Sequence, residues 1–413
     1  MSFQTDLFAS VQGNRQSGLH LLDAFRPRMG KRYAAQRNMD AGPGNHRAVS
    51  RLSPFIRRRL VTEQETVIAA VRAHGPEEAS KFIEEVFWRS YFKGWLERRP
   101  SVWAAYCTGL EQDLAQSRSD ERRWASVEAA ETGATGIACF DFWAQELVET
   151  GYLHNHARMW FASIWIFTLR LPWRIGADFF LRHLIDGDPA ANTLGWRWVA
   201  GLHTRGKAYE AKAWNIEKFS GGRFTPTESG LASNVASLVA EEPGGLPRPG
   251  PLRPVRTATP GTTTALLITE EDCQSEEFDL SAFDIRACAT LAGSPLRSSR
   301  PVGRAVAEFE RTALEDAAAR VGRPADALDA ANGADLAGWA VSIGVKQVVT
   351  PYIPEGPLRD WLHPHLAALD ANGIAFCELR RDWDSAVWPH ATASFFKVKD
   401  RIPEILEATG VSK

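Results

Sequence analysis

A helical domain followed by a small C-terminal α/β domain with a parallel sheet is the architecture that the sequence predicts. Three observations carry it. Through residue 225, apolar side chains recur at helical spacing, as in Phe82, Val86, Phe87 and Tyr91. Between 226 and 264 the prolines crowd together, at Pro243, Pro247, Pro249, Pro251, Pro254 and Pro260. From 265 onward, short strand-like runs alternate with amphipathic helical ones, which implies parallel strands under helical layers.

The expected division is therefore 1–225, helical; 226–264, an extended proline-rich linker with one short helix over 231–241; and 265–413, α/β and Rossmann-like. In the helical part, Ser53 is an N-cap type residue ahead of Pro54. Pro172 is expected to stop an apolar helix that starts near His154. Gly187, Pro189, Gly195 and Gly201 then break the pattern, so that stretch reads as loop or short helix able to present polar side chains. In the last part, 265–269, 285–291, 345–350 and 374–379 read as strands, and 304–321 and 358–370 as helices. No GxGxxG or GxxxxGK[ST] run opens any of these helices, so a standard phosphate loop is not expected.

At 413 residues the chain is long enough for two domains, and 44% hydrophobic with 24% charged residues is the balance of a soluble globular protein. A net charge of -2 gives no global pull toward nucleic acid, so DNA binding would need a local patch, for which Arg197, Arg205, Lys207 and Lys212 are the candidates. Five scattered cysteines without a CxxC pair argue against a disulfide scaffold and against a metal site. His363 and His365 read as a solvated helix start. The N-terminus shows no secretory leader, and the apolar run 159–169 is too short to span a bilayer. A cytoplasmic monomer without metal is the expectation. Most of the fifteen tryptophans are expected in the core, where aromatic rings bury large areas.

Residues 186–198 read Asp-Gly-Asp-Pro-Ala-Ala-Asn-Thr-Leu-Gly-Trp-Arg-Trp, and 150–159 read Thr-Gly-Tyr-Leu-His-Asn-His-Ala-Arg-Met. Two carboxylates, an amide and two indoles so close together suit a buried, electron-accepting polar ring. Together the two runs resemble the flavin-binding core of the photolyase/cryptochrome family. The resemblance covers about 15–225, is closest to the cyclobutane-dimer branch, and implies FAD as cofactor. The branch acting on 6-4 photoproducts has a histidine pair where this chain has Asn155 and Met159.

The resemblance also implies roles. Ser50-Arg51-Leu52-Ser53 looks like the family's phosphate-binding run, although Val49 stands where a threonine is usual; Tyr33 stands at a phosphate-contacting position. Glu85, Trp88 and Arg89 share one helical face. Arg89 would serve the flavin phosphates, and Glu85 and Trp88 would face a pyrimidine dimer; Ser90 replaces a common glutamate. Asn155 would lie near both flavin and lesion, with Met159 beside it. Arg158 would pair with Asp186 by the isoalloxazine, Asp188 would accept from the ring, and Asn192 would face a protonated N5. His156 replaces an arginine of dimer-repairing members. Trp196 and Trp173 match the inner and middle members of an electron-carrying row whose outer member is not at its usual place, Trp124 and Trp103 being candidates. Trp198 would line the lesion pocket.

The function so implied is blue-light-driven repair of pyrimidine dimers in damaged DNA, with Trp196, Trp173, Asn192 and Glu85 as the catalytic set. A cryptochrome-like photoreceptor, or a flavoprotein that has lost both roles, are the alternatives. The family's antenna domain usually precedes the helical one. Here an α/β domain follows instead, so a domain-permuted photolyase is an expectation, and a second antenna chromophore is left open.

Overall fold

The computed structural model describes residues 12–411; the N-terminal residues read as leader-free, and the start of the first domain, lie outside them. Two compact units interleave along the chain. Lys31–Arg51 and Arg99–Arg248 belong to the first; Gln12–Gly30, Leu52–Arg98 and the chain from Pro249 onward belong to the second.

The described part of the first unit is helical. Its longer helices are Pro100–Arg118, Glu121–Thr132, Ala138–Thr150, Asn155–Ser163, Trp173–His183 and Pro189–Val199. Local chemistry sets their ends. Asp120 caps one by accepting the amides of Arg122 and Arg123, and Gly133 and Gly151 close two others at φ +67, a left-handed turn that glycine adopts without cost. The apolar helix beginning at Asn155 loosens into a π turn over Ile164–Thr168, and the chain turns at Arg170 with φ +54. Pro172 is therefore not the stop that the sequence suggests; it sits at the N-cap of the next helix. The Gly/Pro-broken stretch contains an eleven-residue helix, Pro189–Val199. The helix expected over 231–241 is absent: only 3-10 turns form, at Glu228–Gly230 and Val239–Glu241.

The second unit holds a five-stranded parallel sheet: β1 Thr263–Thr269, β2 Asp284–Ala292, β3 Ala325–Asp329, β4 Gln347–Pro351 and β5 Ala375–Leu379, in the order β3-β2-β1-β4-β5. Helices Arg304–Val321, Leu336–Ile343 and Pro357–Ala371 connect the strands, while 3-10 turns alone lead from β1 to β2. Alternation along the strands puts Ala265, Leu267 and Val348 into a core with Leu336, Leu358 and Leu362. Val349 and Cys377 turn to the other face, where Ala258 of the proline-dense stretch covers them. That stretch is tied to the sheet by Thr259 and Gln347 and by Arg253 and Glu378. His363 and His365 lie inside the helix Pro357–Ala371, not at its start, and His365 packs on Trp361 with ring centroids 4.0 Å apart.

In open parallel sheets ligands favour the strand carboxyl ends where the strand order reverses, here beside β1 and β4. That place is filled by ion pairs. Glu270, Glu271 and Asp272 follow β1 and meet the consecutive Arg57, Arg58 and Arg59. Arg57 grips Glu271 through both oxygens at 2.7 and 2.9 Å, Arg58 reaches Glu270 at 2.9 Å, and Arg59 reaches Asp272 at 3.3 Å and Asp384 at 2.6 Å. Arg297 adds a second cation to Glu270 at 2.8 Å. Among the described residues no helix is long and apolar enough to cross a membrane.

Candidate functional site

In the first unit, Tyr33 is buried on the short helix Lys31–Gln36. The following segment is strung on side chains. His154 reaches the Arg37 carbonyl at 3.1 Å, His156 reaches the Asn38 carbonyl at 3.0 Å, and buried Asp40 binds Arg223 at 2.6 Å. Burial pushes the His154 imidazole down to about 3, so it stays neutral, its Nε2–H donating and its Nδ1 accepting the His156 amide. The two histidines thus hold chain rather than metal. Further on, Ser50 is half-buried and Arg51 takes φ +56, a strained conformation for a residue with a side chain. Leu52, buried, is the N-cap of the helix Ser53–Arg57 and makes no side-chain cap bond. Ser53 is the first helical residue, so its hydroxyl does not cap the helix as its residue type suggests.

Arg158 and Asp186 meet. The guanidinium Nη2 donates to both carboxylate oxygens at 3.1 Å, and Nε donates to the Leu153 carbonyl at 2.8 Å. The Asp186 side chain is 3% exposed and that of Arg158 22%, so the pair is largely buried yet reachable from one side. Asn155, one turn earlier on the same helix, is exposed, and Met159 is half-buried. Asp188 opens the helix Pro189–Val199 by accepting the Ala191 amide at 2.9 Å. One turn on, Asn192 donates its amide nitrogen to the Ala177 carbonyl at 2.8 Å. This bond fixes which end is which: with its nitrogen engaged, the side chain offers its oxygen as an acceptor.

Trp196, on the same helix, is 3% exposed and lies against Gly176 of the neighbouring helix. A Cβ at Gly176 would fall within 2.6 Å of Trp196 Cζ3 and 2.9 Å of Trp165 Cε2. Gly176→Ala is expected to destabilise the fold by about 1–3 kcal/mol through overpacking, read as a lowered midpoint of thermal or urea unfolding. Trp173 opens the helix that carries Gly176. Its ring lies 6.0 Å from Tyr106, which stacks 5.3 Å from Trp103. Trp103 is thus joined to Trp173 by an intervening ring, whereas Trp124 binds Glu128 on its own helix. Sequence reasoning missed Tyr106; its place one turn from Trp103 was the available signal. Trp198 is half-buried and packs 5.4 Å from Tyr209.

The second unit carries Glu85, Trp88 and Arg89 on the helix Ser80–Glu97, all half-buried. Lys81 lies 3.5 Å from Glu85. Trp88 stacks face to face on Phe395, centroids 4.0 Å apart and planes 13° from parallel. Ser90 accepts the Trp383 indole N–H at 2.8 Å. Neither aromatic partner was expected from sequence, since both lie roughly three hundred residues away; the Phe395-Phe396 pair was the only local hint.

Of the four basic candidates, Arg205, Lys207 and Lys212 are exposed. Arg197 is not available: it is 3% exposed and held by both oxygens of Glu242, one at 2.7 Å.

The donor set of the first unit fits a flavin ring. It combines a cation on the helix Asn155–Ser163, a buried carboxylate in the turn at Asp186 and an amide on the helix Pro189–Val199, and the Arg158 guanidinium remains partly open to a ligand. Comparison with known proteins agrees. The FAD binding domain of DNA photolyase matches residues 82–222. A deoxyribodipyrimidine photo-lyase of Streptomyces griseus is 37% identical over 158 residues, 38% of this chain and 33% of that one. Those of Synechococcus sp. and Thermus thermophilus are each 32% identical, over 48% and 45% of this chain and 41% and 42% of theirs. The chain thus spans between a third and about two fifths of the length of these relatives. FAD is the cofactor of the matched domain, and residues 82–222 are similar to that photolyase domain.

Proposed function

We propose that the protein is a blue-light-driven, FAD-dependent lyase that splits cyclobutane pyrimidine dimers in DNA. The observation that supports this reading is the Arg158–Asp186 pair, together with Asn192, whose amide nitrogen is engaged by the Ala177 carbonyl, within a stretch matched to a photolyase flavin domain. Bound, reduced FAD would supply light-driven one-electron chemistry in which the electron lent to the dimer is recovered, so that the reaction would have no net redox change. The chain's own residues orient and tune. Arg158 would place positive charge that offsets negative charge on the ring, Asp188 would accept a ring N–H, and the Asn192 oxygen would serve as acceptor for a protonated ring nitrogen. Trp196 and Trp173 supply a route for recharging the cofactor. By the family resemblance, Arg89 and, separately, the 50–53 run are read as phosphate-serving. Trp88 and Glu85 on their helix offer a face to flipped-out bases, and Asn155, Met159 and Trp198 are read as base-facing from the same resemblance.

Illumination of the reduced protein with a dimer-containing oligonucleotide tests the reading; dimers that persist while FAD stays bound would overturn it. Trp88→Ala is expected to weaken damaged-DNA binding about 5- to 150-fold, the loss of roughly 1–3 kcal/mol of base stacking, with flavin content retained. A photoreceptor reading is favoured by one observation, the covering of Trp88 by Phe395. It expects flavin photoreduction without loss of dimers.

A further inference from the structure

After β5 the chain folds back along the helix Ser80–Glu97. The first part of this return is deeply anchored. Trp383 packs 4.9 Å from Phe87 and is 2% exposed, and Val387 and Trp388 are wholly buried. Trp388 sits on Gly94, where a Cβ would come within 2.7 Å of its ring. Arg98 donates to the carbonyls of Trp388 and Pro389, each at 3.2 Å.

The second part, 391–399, has fewer large anchors, although the small side chains of Ala391 and Val398 are also wholly buried. The Tyr91 hydroxyl donates to the Ala393 carbonyl at 2.7 Å, Lys399 meets Glu84 at 2.9 Å near the surface, and a single helical turn, Phe396–Lys399, ends the segment. Its one deeply placed ring is Phe395, 5% exposed, while the adjacent Phe396 is 66% exposed. Phe395 lies flat on Trp88 at 4.0 Å, and Tyr91 stands edge-on to both rings at 86° and 78°. Rings stacked at that spacing are in van der Waals contact, so no third ring fits between them.

We propose that Phe395 is a built-in stand-in for a nucleobase on Trp88, and that 391–399 is a gate which incoming damaged DNA must displace. The proposal rests on the reading of Trp88 as a base-stacking surface. An aromatic side chain and a base compete for the same flat indole face, so the closed form lowers apparent affinity by the fraction of molecules that are open. Opening also separates Lys399 from Glu84 and, with exposed Lys397, frees cations for the phosphate backbone of a single-stranded or flipped-out segment.

The test is dark binding of the full-length protein to a single-stranded oligothymidylate with one cyclobutane dimer, followed by fluorescence anisotropy. Phe395→Ala is expected to tighten binding about three- to tenfold, the strength of the aromatic pair it removes. Tyr91→Phe, which frees the tip without altering either stacking face, is expected to tighten it about twofold to fivefold. Trp88→Ala should weaken binding and abolish both gains. If Trp88→Ala weakens binding while the other two variants leave it unchanged or weaken it, the gate is wrong and Phe395 is at most a pocket wall. If Trp88→Ala changes nothing in any background, the base-stacking reading of Trp88 has failed and the gate falls with it.

Discussion

Glu270→Ala is expected to cost about 3–5 kcal/mol of stability, because Arg58 and Arg297 lose a carboxylate they share in a place closed to water. The side chains of Glu270, Arg58 and Arg297 are 4%, 0% and 2% exposed. Replacing one partner leaves charge behind that solvent cannot reach. Acid should reproduce part of the effect in the unaltered chain. Burial alone would raise the Glu270 carboxyl, but Arg297, Arg58 and Arg57 hold it down at about 2. A carboxyl depressed by folding lends stability that is present above the ordinary carboxylate range and is lost as pH falls toward 2. Urea unfolding as a function of pH measures both effects. The variant should start lower at neutral pH and show a shallower decline on acidification; equal midpoints at neutral pH would contradict the assignment of this cluster as a main tie of the second unit.

Arg158→Ala should have the next largest effect, on the flavin. The substitution takes the guanidinium that reaches both Asp186 oxygens and the positive charge proposed to face the ring. Truncating one partner of a buried, hydrogen-bonded charge pair costs about 2–5 kcal/mol, and partial exposure of Arg158 places the case at the low end. FAD should therefore bind some thirtyfold more weakly, about 2 kcal/mol, seen as lower flavin absorbance per chain after purification. Arg158→Lys keeps the charge but has no second nitrogen to hold the Leu153 carbonyl while it meets Asp186, so intermediate retention is expected. Unchanged flavin content in Arg158→Ala would remove the pair from the site.

Much of the architecture is legible in the residues themselves. Arg304–Val321 emerges with the expected ends because an amphipathic run closes on Gly322 at φ +72. Four strands are recognisable because buried parallel strands are short apolar runs. The fifth, Ala325–Asp329, escapes because it is an edge strand reading Ala-Asp-Ala-Leu-Asp, with little of the composition that marks strands. The helix Leu336–Ile343 escapes for its brevity. At the site, Arg158, Asp186, Asp188 and Asn192 are readable as a group since they fall in two short runs. For Tyr106 beside Trp173, Phe395 on Trp88, and the facing arginine and acid triplets, the local pattern does not say which partner is met. Each joins parts of the chain far apart in sequence, so only the folded chain displays it. Arg197 was misjudged for a related reason: its charge is visible in sequence, but its burial against Glu242 is not.

The interleaving of the two units has a consequence for cutting the gene into pieces. A fragment ending near residue 225 would retain Arg57, Arg58 and Arg59 without the acids that neutralise them, and would bare Phe87, Ser90 and Gly94 where Trp383 and Trp388 now lie. The complementary piece would carry three clustered carboxylates and two large indoles into water. The flavin-matched segment and the sheet are thus not separable cassettes; moving, swapping or shortening either one means redesigning the surface of the other.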